Sequence, residues 1–243
     1  MADRKIILIT GASSGLGLAI TKSLSASDSF EVVATARKIS QELKDICDTH
    51  ENCHFHRLDL LEHGKLQGWV AELTRLYGKP YGLINNAAIA RDGVLATMHD
   101  SEISDLISTN VISTILLTKY VSRKMLAQKE GRIINISSVI ASTGYSGLSV
   151  YAASKSAIEG FTKSLSRELG RLGVTVNAIA PGYMKTKMTS GIEQKKLDQI
   201  ARRSALKRLV SVDEVANSVE FLLSESAASI TGITLTVDAG NTA

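Results

Sequence analysis

The chain is 243 residues long with 44% hydrophobic and 21% charged side chains, enough length and apolar content to bury one substantial core. A formal charge of +4 is small beside the concentrated basic surfaces that bind DNA or RNA, which disfavours a nucleic-acid partner. The apolar run Ile6 to Ile9 is broken at once by Thr10-Gly11, too short for a signal peptide or a membrane span, and predicts a cytoplasmic chain with no membrane attachment.

Lys5 to Thr10 reads as a first strand that opens into Thr10-Gly11-Ala12-Ser13-Ser14-Gly15-Leu16-Gly17 and then a helix-like stretch, Leu18 to Leu24. Such a turn brings backbone amides and a helix N-terminus to a pyrophosphate, so Gly11, Ser13, Ser14, Gly15, Leu16 and Gly17 are candidates to cradle a dinucleotide. Three spaced glycines are a weak signal alone; their position after the first strand strengthens it, and a tight turn that binds nothing is the bland alternative. Glu31 to Ala36 is the second strand. A carboxylate at its end would receive the ribose hydroxyls of NAD, a basic residue the 2′-phosphate of NADP; the chain reads Thr35-Ala36-Arg37-Lys38, so Arg37 favours NADP(H) over NAD(H).

Cys47 and Cys53 share a segment with His50, His54, His56 and His63, but no spacing matches a zinc motif and no metal is expected. The alternation here reads as a third strand, His54 to Asp59, with both imidazoles on one face; the two thiols are expected to be reduced. Tyr81 to Asn85 is the fourth strand. Ile103, Leu106, Ile107, Val111, Ile115 and Leu116 repeat at helical spacing and predict a core-facing helix within Ser101 to Leu126.

Gly131 to Ser137 is the fifth strand, apolar on both alternations, and Ser138 stands at its carboxyl end, where ligands bind in open parallel sheets. Thirteen residues on, Tyr151-Ala152-Ala153-Ser154-Lys155 puts a phenol and an ammonium at i and i+4 on one helix face. The ammonium favours the phenolate and is expected to lower the Tyr151 pKa from about 10 toward the working range, making Tyr151 a general acid or base. Ser138 would donate to a substrate carbonyl, with Ser137 as the alternative one residue back. Taken singly, a buried tyrosine and a snorkelling lysine are ordinary structural residues. Ala153, Ala157, Gly160 and Ser164 line one face of this helix and suit the close approach of a second helix, unless that face lies on the sheet.

Val174 to Ala180 is the sixth strand. Gly182 to Val210 then carries eight lysines and arginines against Glu193 and Asp198, while the rest of the chain has 20 basic and 22 acidic residues. Two readings stand: a solvated helix face, or attraction of an anionic substrate or acidic carrier. Its length after a strand end predicts a mobile substrate lid at about 182–210. Ser211-Val212-Asp213-Glu214 starts a helix whose core face is Val215, Val219 and Leu222, and Ile233 to Val237 is the seventh strand. Seven strands separated by helices predict an α/β fold, a doubly wound parallel seven-stranded sheet of Rossmann type in a single domain, residues 1–243.

These motifs together resemble the short-chain dehydrogenase/reductase family over essentially the whole chain: Thr10-Gly11-x-x-x-Gly15-x-Gly17, Asp59-Leu60, Asn85-Asn86-Ala87-Ala88, Asn110, Ser138, Tyr151-x-x-x-Lys155 and Pro181-Gly182-Tyr183-Met184-Lys185-Thr186. The resemblance implies that Asp59, with Leu60, holds the adenine amine, that Asn86 and Ala87 line the cofactor, and that Lys155 also binds the nicotinamide ribose. It further implies a water-linked proton relay supported by Asn110, with Pro181 and Gly182 beside the cofactor and Met184 and Thr186 closing over the carboxamide. Ala88 departs from the glycine usual in the family, and Ser14 stands where many NADPH-using relatives carry a basic residue.

Ile89 to Leu95 and the ending Ile230 to Gly240 are most similar to bacterial 3-oxoacyl-acyl-carrier-protein reductases. That likeness implies NADPH-dependent reduction of a 3-oxoacyl thioester in fatty acid synthesis. It also implies a homotetramer built on the Tyr151 helix and the Ser101 to Leu126 helix, and docking of an acyl carrier through Lys129 and Arg171. The same machinery could serve a CoA thioester, steroid, sugar or other secondary alcohol. A non-catalytic dinucleotide sensor, with Lys185 to Arg208 as a contact surface, is the third reading.

Overall fold

Seven strands, most of them apolar and β-branched, form one parallel sheet in a computed structural model that describes residues 4–186, 191 and 193–243. The strands are β1 (Lys5–Thr10), β2 (Phe30–Ala36), β3 (Cys53–Arg57), β4 (Gly82–Asn85), β5 (Gly131–Ile136), β6 (Val174–Pro181) and β7 (Thr234–Val237). Their order is β3-β2-β1-β4-β5-β6-β7, so the chain reverses direction of winding between β1 and β4. Open sheets of this kind bind ligands beyond the carboxyl ends of the strands at that reversal.

The helices are α1 (Gly15–Ser25), α2 (Gln41–Thr49), α3 (Leu66–Tyr77), α4 (Asp100–Ile107), α5 (Ser113–Leu126), α6 (Ile140–Thr143), α7 (Ser149–Leu169), α8 (Gln194–Arg203) and α9 (Val212–Leu223). One face of the sheet is covered by α1, α2 and α9 through Ile20, Leu24, Leu43, Val215 and Val219; the other is covered by α3, α5 and α7 through Val70, Leu117, Val121 and Leu165. Being covered on both faces is why β1, β2, β5 and β6 are apolar without alternation. The start of α9 is a capping box: Ser211 Oγ accepts from Glu214 N at 3.2 Å, and a Glu214 carboxylate oxygen accepts from Ser211 N at 2.9 Å.

The segment 101–126 departs from the expected single helix. A π-helical turn, Ser108–Ile112, separates α4 from α5. The wider turn advances the register, so the buried stripe of α5 is Leu117, Val121 and Met125, whereas Ile115, expected in the core, is 37% exposed beside Ile112 at 43%. The third strand also stops at Arg57, which leaves Asp59 in the loop beyond it. His54 pairs with Glu31 and stacks on Tyr77, while His56 Nε2 lies 2.8 Å from the Tyr77 hydroxyl and His63 Nε2 lies 3.0 Å from Ser113 Oγ. Among the described residues, no cluster of three or more His, Cys, Asp or Glu is disposed to hold a metal, and no helix is long and apolar enough to cross a membrane.

Candidate active site

The turn after β1 arrives at the carboxyl edge of the sheet in a conformation that needs glycine. Gly11 and Gly15 sit at φ +68° and +55°, where a Cβ is strained. At Gly17 the constraint is space: a Cβ there would stand 2.2 Å from the Gly11 carbonyl oxygen and 2.5 Å from Asn86 Nδ2. Asn86 Nδ2 donates to Thr10 O at 2.9 Å and to Gly11 O at 3.2 Å, and Thr10 Oγ1 accepts from the amides of Asn86 and Ala87, each at 3.0 Å. The loop after β4 is thereby fastened to the glycine turn. Ser14 precedes α1 in extended conformation, its side chain caps nothing, and no acidic residue lies in the first turn. Amides at such an end lack the side-chain oxygen that usually satisfies them, which suits the phosphate oxygens of a dinucleotide. Ser13 is half-buried in the turn, and Leu16 is buried beneath it.

Thr10 pairs with Thr35 in the β1–β2 register and Ala12 N donates to Thr35 O at 3.0 Å, so Arg37, two residues beyond Thr35, reaches the same edge as the glycine turn. Arg37 is exposed. Asp59 and Leu60 are half-buried beyond β3; Asp59 Oδ1 accepts from Leu61 N at 3.0 Å and Leu60 O accepts from Ser113 Oγ at 2.9 Å. At the other end of the crevice Pro181 closes β6 and Gly182 packs so tightly that a Cβ would lie 2.7 Å from Asp238 Cβ. Thr186 stands against Gly15, 3.5 Å from where its Cβ would be, and Met184 packs on the core beneath α1 and α9. These residues can flank a cofactor from opposite sides. Lys187 to Ser190 and Ile192, which belong to the expected lid, lie outside the described residues.

Ser138, at the end of β5, hydrogen-bonds the Tyr151 phenol, and its Oγ accepts from Ile140 N at 3.3 Å. Ser137 points elsewhere: its hydroxyl donates to Glu159 Oε1 at 2.7 Å, because successive residues beyond a strand face opposite sides. Lys155 lies one helical turn beyond Tyr151 with Nζ 5.7 Å from the phenol ring centroid, and donates to Ile136 O at 2.7 Å. The expected lowering of the tyrosine pKa is not what the protein alone produces. Burial is the dominant effect and pushes the Tyr151 phenol up to about 12, against the smaller opposing pull of the Ser138 hydrogen bond. The same desolvation lowers the fully enclosed Lys155 to about 8.

Asn110 occupies the π-helical turn, where the widened backbone turns its side chain inward. Its Oδ1 accepts from Ile89 N at 2.9 Å, and its Nδ2 donates to Ile89 O at 2.9 Å and to Ser154 Oγ at 3.1 Å. Ser154 Oγ donates to Tyr151 O at 2.7 Å, so Asn110 ties the loop after β4 to α7. Ser154 was not singled out by spacing, nor were Tyr145, Tyr183 and Lys196. Tyr183 raises the Tyr151 pKa slightly further, and Lys196 Nζ, on α8, sits 4.9 Å over the Tyr145 ring. Only the fold brings those side chains, from three separate segments, to one mouth.

The depressed Lys155 pKa carries a stability consequence. Between about 8 in the folded chain and 10.5 in the unfolded chain, the unfolded state binds the extra proton, so stability rises with pH across that window. The penalty is full below the window, of order 3 kcal/mol, and vanishes above it. Relative to wild type, Lys155→Met is therefore expected to gain most in melting temperature near pH 7 and to lose that advantage as pH approaches 10.5. A difference that stays constant with pH would show that no desolvated ammonium is present.

Comparison with known proteins gives a consistent result. A family model described as enoyl-(acyl carrier protein) reductase matches residues 11–242. The 3-oxoacyl-[acyl-carrier-protein] reductase FabG of Escherichia coli (strain K12) is 38% identical over 239 residues, covering 98% of this chain and 97% of that one. The acetoacetyl-CoA reductase of Acinetobacter sp. (strain RA3849) is 35% identical over 245 residues, covering 99% and 98%. A crystal structure of a variant actinorhodin polyketide ketoreductase with NADPH superposes with a TM-score of 0.91 at 31% identity, covering 99% of this chain and 98% of that one. With the glycine turn, the Ser138–Tyr151–Lys155 group and the sheet order all in place, the chain belongs to the enoyl-(acyl carrier protein) reductase family of short-chain dehydrogenase/reductases.

Proposed function

We propose that the protein is an NADPH-dependent ketoreductase that converts a 3-oxoacyl thioester on an acyl carrier protein to the 3-hydroxyacyl form in fatty acid synthesis. The observation that carries this reading is the hydrogen-bonded pair of hydroxyls, Ser138 and Tyr151, at the carboxyl edge of β5 with Lys155 behind them. NADPH, when bound, supplies the hydride to the carbonyl carbon. Ser138 holds the carbonyl oxygen by donating its hydroxyl proton as a hydrogen bond, which stabilises the negative charge that develops there. Tyr151 is fully protonated at neutral pH and gives its proton to the same oxygen. The Lys155 ammonium stabilises the phenolate left behind, and Asn110 with Ser154 keeps the helix carrying both groups in position.

Arg37, with no carboxylate in Val33 to Lys38, supports NADPH over NADH. The intact Ser138, Tyr151 and Lys155 favour an enzyme over a dinucleotide sensor. Gly182 to Val210, with α8, serves as the substrate lid, supported by the contact of Lys196 with Tyr145 at the mouth. The subunits assemble as a cytoplasmic homotetramer through α5 and α7, a reading supported by exposed Ile112 and Ile115 and by the exposed small-residue face Ala153, Ala157, Gly160 and Ser164. Lys129 and Arg171 are exposed at the opposite, amino-terminal edge of the sheet, where the turns before β5 and β6 meet.

A second substrate reading, a CoA thioester, is favoured by the likeness to an acetoacetyl-CoA reductase. Initial rates on acetoacetyl-carrier and acetoacetyl-CoA, each with NADPH and NADH, test both points. The carrier thioester with NADPH is expected to give the highest kcat/KM, and Arg37→Glu to erase the NADPH preference. Equal or better turnover of the CoA thioester would overturn the carrier assignment, and faster turnover with NADH would overturn the cofactor assignment.

A further inference from the structure

Away from the crevice, two side chains form a chemically reactive pair that the reductase chemistry does not use. Cys47 lies half-buried in the last turn of α2, and Cys53 is the first residue of β3, 4% exposed. The connection folds back on itself: His50 N donates to Ile46 O at 2.9 Å and Cys53 N donates to His50 O at 3.0 Å. This brings the two sulfurs to 3.2 Å as free thiols in hydrogen-bond contact. The sulfurs need to close by only about 1 Å to reach covalent distance. A motion of that size lies within the reach of two side chains on a short turn.

We propose that Cys47 and Cys53 are a reversible dithiol–disulfide modification site, oxidised within one chain by a small disulfide of the glutathione class. The hydrogen bond from Cys47 draws the Cys53 thiol below its ordinary range, against the opposing effect of burial, and the same bond pushes Cys47 up. The pair therefore yields one proton readily and holds the other, which is the state a thiol exchange needs. The Cys47 proton passes to the Cys53 thiolate along the 3.2 Å contact, and the more accessible Cys47 sulfur, now the thiolate, attacks the small disulfide, forms a mixed disulfide and expels one small thiolate. Cys53 then loses its proton and attacks the Cys47 sulfur, expelling the second thiolate. Two cysteines are oxidised, one small disulfide is reduced to two thiols, and the two cysteine protons end on those thiols.

The new bond would staple the end of α2 to the start of β3, at the amino-terminal edge of the sheet. Ser138 and Tyr151 lie at the carboxyl edge, so the modification protects the fold without stopping turnover.

The full-length protein incubated in millimolar oxidised glutathione tests this by intact mass, thiol labelling, melting temperature and activity. Expected are a chain about 2 Da lighter with both cysteines blocked, a melting temperature higher by a few degrees, unchanged kcat and KM, and full reversal by reduced glutathione. Cys47→Ser should show no such mass loss. Because Cys53→Ser places a hydroxyl in the core and can itself unfold the chain, phenylarsine oxide, which bridges two thiols through one arsenic, gives a second measurement on the unaltered protein. One arsenical per wild-type chain and none stably held by Cys47→Ser is expected. A persistent mixed disulfide, disulfide-linked dimers, no oxidation at all, or absence of arsenical bridging would overturn the site, and loss of activity on oxidation would overturn its independence from the reductase.

Discussion

Tyr151→Phe is expected to lower kcat by about 100- to 10,000-fold, the range for removal of a general acid, while changing NADPH affinity less than about threefold. The ring remains, so packing along α7 is kept, and Ser138 still has its hydroxyl for the carbonyl oxygen. What disappears is the phenolic hydroxyl whose oxygen accepts from Ser138. Burial holds its proton firmly, to a pKa of about 12, so at neutral pH the protein alone is charged with the proton that reduction consumes. Stopped-flow measurement of NADPH oxidation in a single turnover, alongside fluorescence titration of NADPH binding, separates the chemical step from binding. Turnover within about fivefold of wild type would move the proton donor to another residue.

Gly17→Ala has the second largest expected effect, and it acts by crowding. The added methyl would fall 2.2 Å from Gly11 O and 2.5 Å from Asn86 Nδ2, inside contact distance of a backbone carbonyl that cannot yield without moving the turn. Relief requires α1 to shift away from β1 or the Asn86 amide to leave Thr10 and Gly11. Overpacking of this kind costs about 1–3 kcal/mol. In a chain of this size that lowers the melting temperature by roughly 2–10 °C. NADPH affinity should fall at least about tenfold, because the turn and the amides of α1 are displaced together. Gly68→Ala, in α3 with nothing within 4 Å of its would-be Cβ, is the matched control and should be neutral or slightly stabilising. Wild-type affinity in Gly17→Ala would mean the turn is not the phosphate cradle.

The expected strands fall within a residue or two of those observed, because burial on both faces leaves an unbroken β-branched run with no competing pattern. Helix phase is harder to read. Ile115 follows the 3.6-residue repeat as well as Leu116 does, yet one extra residue in the turn Ser108–Ile112 carries it to the surface. That same turn directs Asn110 toward Ile89 and Ser154. A local irregularity of this sort costs the sequence little and leaves no periodic trace.

By itself the sequence determined the sheet, the glycine turn after β1 and the i, i+4 spacing of Tyr151 and Lys155, since each depends on neighbours along the chain. Only the tertiary structure decided the electrostatics and the company of those groups. Whether a phenol is lowered by an ammonium or raised by lost water depends on every atom packed around it, and at Tyr151 burial dominates, opposed only in part by the Ser138 hydrogen bond. Which of Ser137 and Ser138 meets the Tyr151 phenol likewise depends on which side of the strand end each faces, Ser137 donating to Glu159 and Ser138 to Tyr151. The meeting of Tyr145, Tyr183 and Lys196 required three distant segments to fold over the same edge, an arrangement set by packing across the whole sheet.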